Sequence, residues 1–144
     1  MNDKSETMIK TLPRSPMAYG LVVKYIARFE PFTKLEFGPV ANSLLYQVMN
    51  NCNLGAIRGD DLVAYLGWIR TNDEDAQKWL EGRGNLQPDA LGTAVAINVF
   101  ASDDPKNILH MIRYAKKSEP GLTVYWKRFY QDGRQPIPKV VRVD

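Results

Sequence analysis

Apolar side chains occupy both faces of one extended stretch of the chain, residues 62–71, which read LVAYLGWIRT. Side chains alternate between the two faces of a strand, and here both sets are apolar until the polar segment Arg70-Thr71-Asn72. A strand that is apolar on both faces is typical of the interior of a sheet covered on both sides. We therefore predict an interior strand at residues 62–69, packed between helices.

Two amphipathic helices are predicted before this strand. In SPMAYGLVVKYIARFEP, Ser15 is a suitable N-cap, and Pro16 occupies the first helical position, where its missing N–H costs nothing. Pro31 ends this helix, because the residue before a proline is disfavoured in helical conformation. The next segment, GPVANSLLYQVMNN, has an apolar stripe at helical spacing formed by Val40, Leu44, Leu45 and Val48.

The rest of the chain alternates strands with helices. A hairpin turns at Gly59-Asp60-Asp61, just before the interior strand. A short helix over NDEDAQKWLEGRG, a central strand over GTAVAINVFAS and a helix N-capped by Asp104 follow. Two final strands lie on either side of a connection at residues 131–138. This order predicts an α/β (α+β) fold with one mixed central sheet flanked by helices.

Composition narrows the class of protein. A chain of 144 residues, 44% hydrophobic and 24% charged, is typical of one globular domain. We place this domain at residues 15–144, after a flexible N-terminal tail at residues 1–14. The tail lacks the apolar centre of a secretory signal, and no apolar run approaches the ~20 residues of a membrane span. The single cysteine, Cys52, excludes an internal disulfide and favours the cytoplasm. One Cys and one His are too few ligands for a zinc site.

The order of elements resembles the acyl-CoA N-acyltransferase fold without its first strand. Acetyltransferases of that fold have a glycine-rich loop after the central strand, where backbone N–H groups hold a pyrophosphate. The corresponding segment here is ASDDPKN. Asp103 and Asp104 repel a pyrophosphate, and Pro105 removes one N–H donor. The resemblance therefore predicts the fold without the usual coenzyme A chemistry.

A narrower resemblance, over about Tyr19 to Val140, is to the toxin-activating lysine acyltransferases, the family that includes the hemolysin-activating protein. The segments that carry this resemblance are LVAYLGWI, AINVFAS, NILHMIRYAKKSEPG and VYWKRFYQDGRQPIPKV. The resemblance implies transfer of a fatty acyl group from acyl carrier protein to a lysine of a target toxin protein. It also implies that no cofactor is tightly bound.

The resemblance places the catalytic histidine of that family near PFTK, most simply at Thr33 with Phe32 or Lys34 as alternatives, and its aspartate at Asn98. Neither Thr nor Asn acts as a general base at neutral pH, although both donate hydrogen bonds to a developing oxyanion. Asp103, Asp104 and His110 are the other candidates for the base. Asp104 is expected to cap the next helix instead, and Asp103 is expected to be solvated. His110 is expected on the surface of that helix, and Cys52 is expected to be a structural thiol.

Four aromatic residues on predicted strands have two interpretations. Core packing is one, and the wall of an acyl-chain groove is the other; the residues are Tyr65, Trp68, Phe100 and Trp126. Basic residues near the last helix and strand are either solvated or face an acidic carrier protein; these are Lys116, Lys117, Lys127 and Arg128.

Three functions remain open at this point. The first is an acyltransferase with an altered site, and the second is a non-catalytic relative that binds an acyl chain, a carrier or a protein partner. The third, a nucleic-acid module, is suggested by the interleaved aromatic and basic residues of VYWKRFYQDGR. The modest net charge of +3 disfavours it. A homodimer through the edge of the final strands is compatible with the pattern.

Overall fold

Six strands form a sheet in the order β1-β2-β3-β4-β5-β6 in this computed structural model, which describes residues 6–128 and 137–142. The elements are β1 (Met8–Lys10), α1 (Pro16–Ile26), a 3-10 turn (Phe32–Lys34), α2 (Phe37–Met49), β2 (Asn53–Arg58), β3 (Asp61–Thr71), α3 (Asp73–Leu80), β4 (Ala94–Ser102), α4 (Asn107–Ser118), β5 (Thr123–Arg128) and β6 (Ile137–Arg142). β4 and β5 pair in parallel, whereas β1–β2, β2–β3 and β5–β6 are antiparallel. The predicted mixed sheet flanked by helices is confirmed. The predicted connection between the last two strands falls mainly outside the described residues.

A short first strand corrects one sequence prediction. β1 pairs with β2 in the register Met8↔Ile57 to Lys10↔Gly55, inside the segment that was expected to be a flexible tail. Leu12 follows it and is only 3% exposed, and its backbone N–H donates to Asn53 Oδ1 at 3.0 Å. A strand of three residues is too short to produce a recognisable alternation, which is why the pattern alone missed it.

The chain divides into two compact units, Met1–Gly67 with Val99–Ala115 and Trp68–Asn98 with Lys116–Asp144. β3 and β4 each contribute residues to both units. The sequence had predicted a single domain over residues 15–144. Each unit has its own hydrophobic core.

The first unit packs α1 and α2 on the strands. As predicted, α1 starts at Ser15, whose Oγ accepts the Ala18 N–H at 3.1 Å, with Pro16 in its first turn. The core consists of Leu12, Ala18, Val22, Tyr25, Ile26, Leu44, Val48, Leu62, Tyr65, Val99 and Ala101. Leu45, which the sequence placed on the buried stripe of α2, is 41% exposed instead.

A fully buried polar group ties the C-terminal half of α2 to β2 and β3 in this unit. Gln47 is 0% exposed, and its Oε1 accepts a hydrogen bond from Tyr65 Oη at 2.8 Å. The Gln47 carbonyl accepts from Asn53 Nδ2 at 3.0 Å and from the Cys52 N–H at 2.9 Å. Buried polar groups are tolerated when they are paired in this way. Gly67 lies against this side chain without a Cβ of its own.

The second unit is built around α3. Asn72 caps this helix by accepting the Asp75 N–H at 2.8 Å, and three acidic residues occupy the first turn, as suits the helix dipole. Ala76 and Leu80 of α3 pack with Ala94 of β4 and Tyr125 of β5. The carboxylate of Asp73 also accepts hydrogen bonds from Tyr125 Oη at 2.8 Å and Thr93 Oγ1 at 2.7 Å. α3 is thereby fixed against the parallel strand pair.

We predict that Gly67→Ala lowers the free energy of unfolding by about 1–3 kcal/mol, the usual cost of overpacking a core. The added Cβ would overlap Gln47 Oε1 and would lie 2.9 Å from Tyr65 Oη, both of which are held in place by their mutual hydrogen bond. Chemical denaturation measures the difference between variant and wild type.

Gly20→Ala is the matched control, because Gly20 lies in α1 with no atom within 4 Å of the added Cβ. This variant should gain about 0.5–1 kcal/mol from the higher helix propensity of alanine. Equal effects of the two substitutions would show that the contact with Gln47 is not tight.

Candidate functional site

The parallel pairing of β4 with β5 ends before β4 does. The register runs from Ala94↔Thr123 to Ile97↔Trp126, whereas β4 continues to Ser102. Asn98 is the first residue of β4 beyond that register and is half-buried, with an interaction of its own. The structure therefore places the resemblance-predicted residue Asn98 where the parallel strands stop pairing.

Two lysines in the second unit lie over indole rings. Lys127 Nζ is 4.5 Å from the ring centre of Trp79, and Lys116 Nζ is 6.0 Å from that of Trp126. Burial lowers the pKa of the Lys127 ammonium from its ordinary value, while the face of the indole ring favours its charged form. Both lysines are half-buried, so a carrier protein would meet them only in part. Lys117 is exposed, and the side chain of Arg128 lies outside the described residues.

The predicted acyl-groove residues differ in their placement. Tyr65 is 0% exposed and bonded to Gln47. Trp68 is 1% exposed, and its Nε1 donates to Glu119 Oε2 at 2.9 Å. These two residues therefore lie in the core, because each buried polar atom has a partner and no lining surface is left. Phe100 and Trp126 are half-buried, and their place in a groove stays a prediction.

The turn after β4 uses its backbone donors internally. The acceptors are Val63 O for Asp103 N, Ser102 Oγ for Asp104 N, Asp104 Oδ1 for Lys106 N, Asp104 O for Asn107 N and Pro105 O for Ile108 N. Pro105 has no N–H, and Asp103 and Asp104 are exposed carboxylates. A diphosphate binds a helix N-terminus through free N–H groups and avoids negative charge. The residues of this turn therefore do not fit the diphosphate of coenzyme A.

Asp103 is exposed, as expected, and its carboxylate also interacts with Tyr25 of α1 and with Arg28. Tyr25 Oη lies 2.9 Å from Asp103 Oδ1 and 2.7 Å from Val63 O, so its single proton is shared between two acceptors. Arg28 Nη2 lies 3.8 Å from the same carboxylate oxygen. Burial first, and then the Asp103 carboxylate, raise the pKa of the Tyr25 phenol, while Arg28 acts in the opposite direction. Tyr25 therefore remains a proton donor at neutral pH.

Thr33, the other resemblance-predicted residue, lies in the 3-10 turn of the first unit and is exposed. It lines an open groove between α1 and α2 with apolar neighbours such as Val23, Phe32 and Val40. Asn98 belongs to the second unit. Thr33 and Asn98 therefore belong to different units.

None of the other candidates forms a catalytic base in a cleft. Asp104 Oδ1 accepts the Lys106 N–H and Asp104 O accepts the Asn107 N–H. Because α4 begins at Asn107, Asp104 precedes the helix by three residues, and the predicted N-cap at Asp104 was placed too early. His110 is exposed on α4, and Cys52 is buried, with its Sγ 3.5 Å from Asn50 O. Within residues 6–128 and 137–142, no group of three or more His, Cys, Asp or Glu side chains could hold a metal ion.

No protein-family model matches this chain, and no curated protein sequence matches it. Solved structures do match it. The loading GNATL domain of CurA from Lyngbya majuscula has a TM-score of 0.60 at 5% identity, covering 89% of this chain and 67% of that domain. The GphF GNAT-like decarboxylase in complex with isobutyryl-CoA also has a TM-score of 0.60, at 17% identity, covering 86% and 67%. An aminoglycoside 6'-N-acetyltransferase from Enterococcus faecium has 0.56 at 17% identity, covering 84% and 61%.

These neighbours establish the fold as that of the GNAT-like acyltransferases, the coarser of the two resemblances drawn from the sequence. The identities are too low to say more than fold. The match to the toxin-activating enzymes gains no separate support from them. No helix among the described residues is both long and apolar enough to cross a membrane.

Sequence reasoning missed Tyr25 and the groove beside Thr33. Tyr25 was assigned to an apolar stripe of α1, and nothing in the sequence shows that its hydroxyl reaches residues 63 and 103. The groove depends on how α1, the 3-10 turn and α2 pack. A weak signal was present in PFTKLEFGPV, where Phe32, Leu35 and Phe37 are apolar residues in a segment outside both predicted apolar stripes.

We predict that alkaline unfolding reports Tyr25 directly. Its pKa is raised in the folded protein, so above the ordinary tyrosine pKa of about 10 the unfolded state loses a proton first and the free energy of unfolding falls with pH. Each such group contributes about 1.4 kcal/mol per pH unit in that window. Tyr25→Phe should make the fall of the free energy of unfolding with pH shallower by the contribution of one proton. Urea denaturation from neutral pH into the alkaline window measures this slope.

Tyr114→Phe, at an exposed tyrosine, is measured in parallel as the control for removing a phenol from the protein. Tyr65→Phe should behave like Tyr25→Phe, because burial raises the pKa of Tyr65 as well. An unchanged slope in Tyr25→Phe would contradict the shared hydrogen bond.

Proposed function

We propose that this chain binds an acyl thioester and transfers its acyl group to an amine, with acyl carrier protein as the donor. The GNAT-like fold supports acyl transfer in general. Among its structural neighbours, one is in complex with isobutyryl-CoA and another is an aminoglycoside 6'-N-acetyltransferase. By the sequence resemblance, the acceptor is a lysine of a target toxin protein, and no cofactor is tightly bound.

The turn after β4 is the observation that favours a carrier over coenzyme A. Its N–H donors are occupied, and Asp103 and Asp104 are exposed. A carrier protein brings its pantetheine arm on a single phosphodiester that stays attached to the carrier. Such a donor needs no diphosphate site on this chain, so the closed turn is no obstacle to it.

Asn98 is the proposed hydrogen-bond donor for the oxyanion. It lies at the point where the register of β4 with β5 ends. In the reaction the amine nitrogen attacks the thioester carbonyl, the C–S bond breaks and the thiol leaves with the proton that the amine loses. Thr33 is proposed as a second donor on the strength of the resemblance alone.

Carrier recognition is proposed to use the basic residues near the end of α4 and on β5. Lys117 is exposed, and Lys116 and Lys127 keep their charged ends over indole rings. An acidic carrier helix attracts such cations mainly by raising the rate of association. Arg128 is retained from the sequence prediction.

A non-catalytic role is the second candidate, and one observation favours it. Of the groups considered as bases, Asp103 is bonded to Tyr25, Asp104 accepts a hydrogen bond in the turn before α4, and His110 is exposed on the surface of α4. Removal of a proton from a lysine ammonium of pKa about 10.4 normally needs a positioned base. In this role the chain would hold an acyl carrier without turnover.

The proposal is tested by intact-mass spectrometry. The full chain is incubated with acyl carrier protein bearing octanoyl, decanoyl or palmitoyl groups and with a lysine peptide as acceptor, in parallel with the matching acyl-coenzyme A. We expect loss of acyl from the carrier, its appearance on the peptide, and far slower reaction with acyl-coenzyme A. Carrier binding without turnover would favour the second candidate. An absence of both carrier binding and turnover would overturn both candidate functions.

We predict that Asn98→Ala lowers the rate of any transfer by about a hundredfold, the usual loss for one oxyanion donor. The control is Asn42→Ala, an exposed residue of α2 in the other unit. The transfer rates of the two folded variants are compared with that of the wild type in assays stopped at fixed times. Equal rates in wild type and Asn98→Ala would remove Asn98 from the site.

A further inference from the structure

The groove beside Thr33 is a concave site, and the proposed transfer uses only the Thr33 hydroxyl among its lining residues. It has a volume of about 270 Å³ and lies between α1, the 3-10 turn and α2. Its lining consists of Val23, Ile26, Ala27, Phe32, Thr33, Leu35, Phe37, Val40, Ala41 and Leu44. Ile26 and Leu44 are each 1% exposed. The groove therefore belongs to the first unit alone.

The chemistry of this lining is almost purely apolar. None of the lining residues carries a charge, and the hydroxyl of Thr33 is the one polar side-chain group among them. Leu35 and Phe37 are 53% and 72% exposed, so the groove has apolar surface in contact with water at these two residues. Covering such surface is favourable by about 25 cal/mol per Å².

The backbone N–H groups of the 3-10 turn are not available to a polar ligand. The N–H groups of the turn are used within it, from Thr33 N to Phe29 O at 3.0 Å, from Lys34 N to Pro31 O at 2.9 Å and from Leu35 N to Phe32 O at 3.3 Å. The Ala41 carbonyl accepts from Tyr19 Oη at 3.0 Å. Along the apolar side chains of the lining, a peptide or a sugar would lose hydrogen bonds to water without replacing them.

We propose that this groove binds the aliphatic chain of a medium-length acyl group. At roughly 30 Å³ for each water-sized group, a volume of about 270 Å³ accommodates a flexible chain of about nine methylene groups. An aliphatic chain needs no hydrogen bonds and follows an open, irregular apolar surface. This inference deepens the proposed function, on which it rests for the identity of the chain.

The direct test uses 1-decanol, an uncharged probe that requires neither a carrier nor turnover. Methyl resonances of the full chain are followed by NMR while the alcohol is added. We expect saturable shifts at Val23, Val40, Leu35 and Leu44, with smaller changes elsewhere. Toluene serves as the aromatic comparison. Tighter binding of toluene than of decanol would overturn the aliphatic assignment, as would no binding of decanol up to its solubility.

Two variants fill the groove from opposite sides. Ala41→Phe enlarges a side chain on α2, and Ala27→Leu enlarges one at the end of α1. Each should weaken decanol binding about tenfold or more, a loss of about 1.4 kcal/mol. Ala27→Leu keeps the test decisive if Ala41→Phe fails to fold. Ala90→Phe, at an exposed turn position of the other unit, is the matched control and should bind as wild type.

The outcomes separate this inference from the proposed function. Decanol affinity lowered in both filled variants and kept in Ala90→Phe supports the groove, whether or not transfer is observed. Equal affinity in all variants overturns it. Shifts at the same methyl groups that depend on protein concentration without decanol would assign the surface to a second copy of the chain and would overturn it too. Absence of transfer, with decanol binding intact, counts against the proposed function alone.

Discussion

The carbonyl of Val63 accepts two hydrogen bonds, from Tyr25 Oη and from the backbone N–H of Asp103. This junction joins α1 to β3 and to the residue that directly follows β4. This junction holds the turn after β4, in which the backbone N–H groups of Asp104 and of residues 106–108 find their acceptors. It also brings the Asp103 carboxylate within hydrogen-bond distance of Tyr25 Oη. A carboxylate used in this way supports the structure and is poorly suited to act as a base.

A second constraint comes from the few polar groups buried in the first unit. Gln47 is enclosed, and its side chain is satisfied by Tyr65 while its carbonyl receives Asn53 and Cys52. An unpaired amide in this position would cost free energy on the scale of a whole hydrogen bond. Gly67 is needed because the side chain of Gln47 occupies the space of a Cβ. The arrangement explains why β3 is buried on both faces although it does not consist solely of aliphatic residues.

The fold and the proposed chemistry meet at the end of the parallel pairing of β4 and β5. The GNAT-like neighbours share the fold at identities of 5% to 17%, so only the general arrangement is transferable. In this chain the register of β4 with β5 ends at Ile97, and the N–H groups of the turn after β4 are occupied. The proposed donor on a carrier protein is compatible with both observations, and the proposed site for its acyl chain is the apolar groove between α1 and α2.

Much of the secondary structure was already determined by local sequence. Ser15 with Pro16 set the start of α1, Gly59 with Asp60 set the hairpin turn, and the apolar run of β4 set the central strand, because capping, turn geometry and side-chain alternation act over a few residues. The sequence pattern did not reveal β1, because a strand of three residues is too short to show an alternation of apolar and polar side chains. Within the site, the sequence and the resemblance selected Asn98, and the structure places that residue at the end of the β4–β5 register.

Tertiary structure decided everything that depends on residues distant in the chain. Tyr65 and Trp68 matched an acyl groove by resemblance, yet their polar atoms are paired with Gln47 and Glu119 in the core. Tyr25 reaches residues 63 and 103, and Lys127 lies over Trp79. The physical reason is that burial and hydrogen-bond partnership are properties of packing. A sequence pattern specifies which face of an element is apolar, but only the folded chain specifies what lies against it.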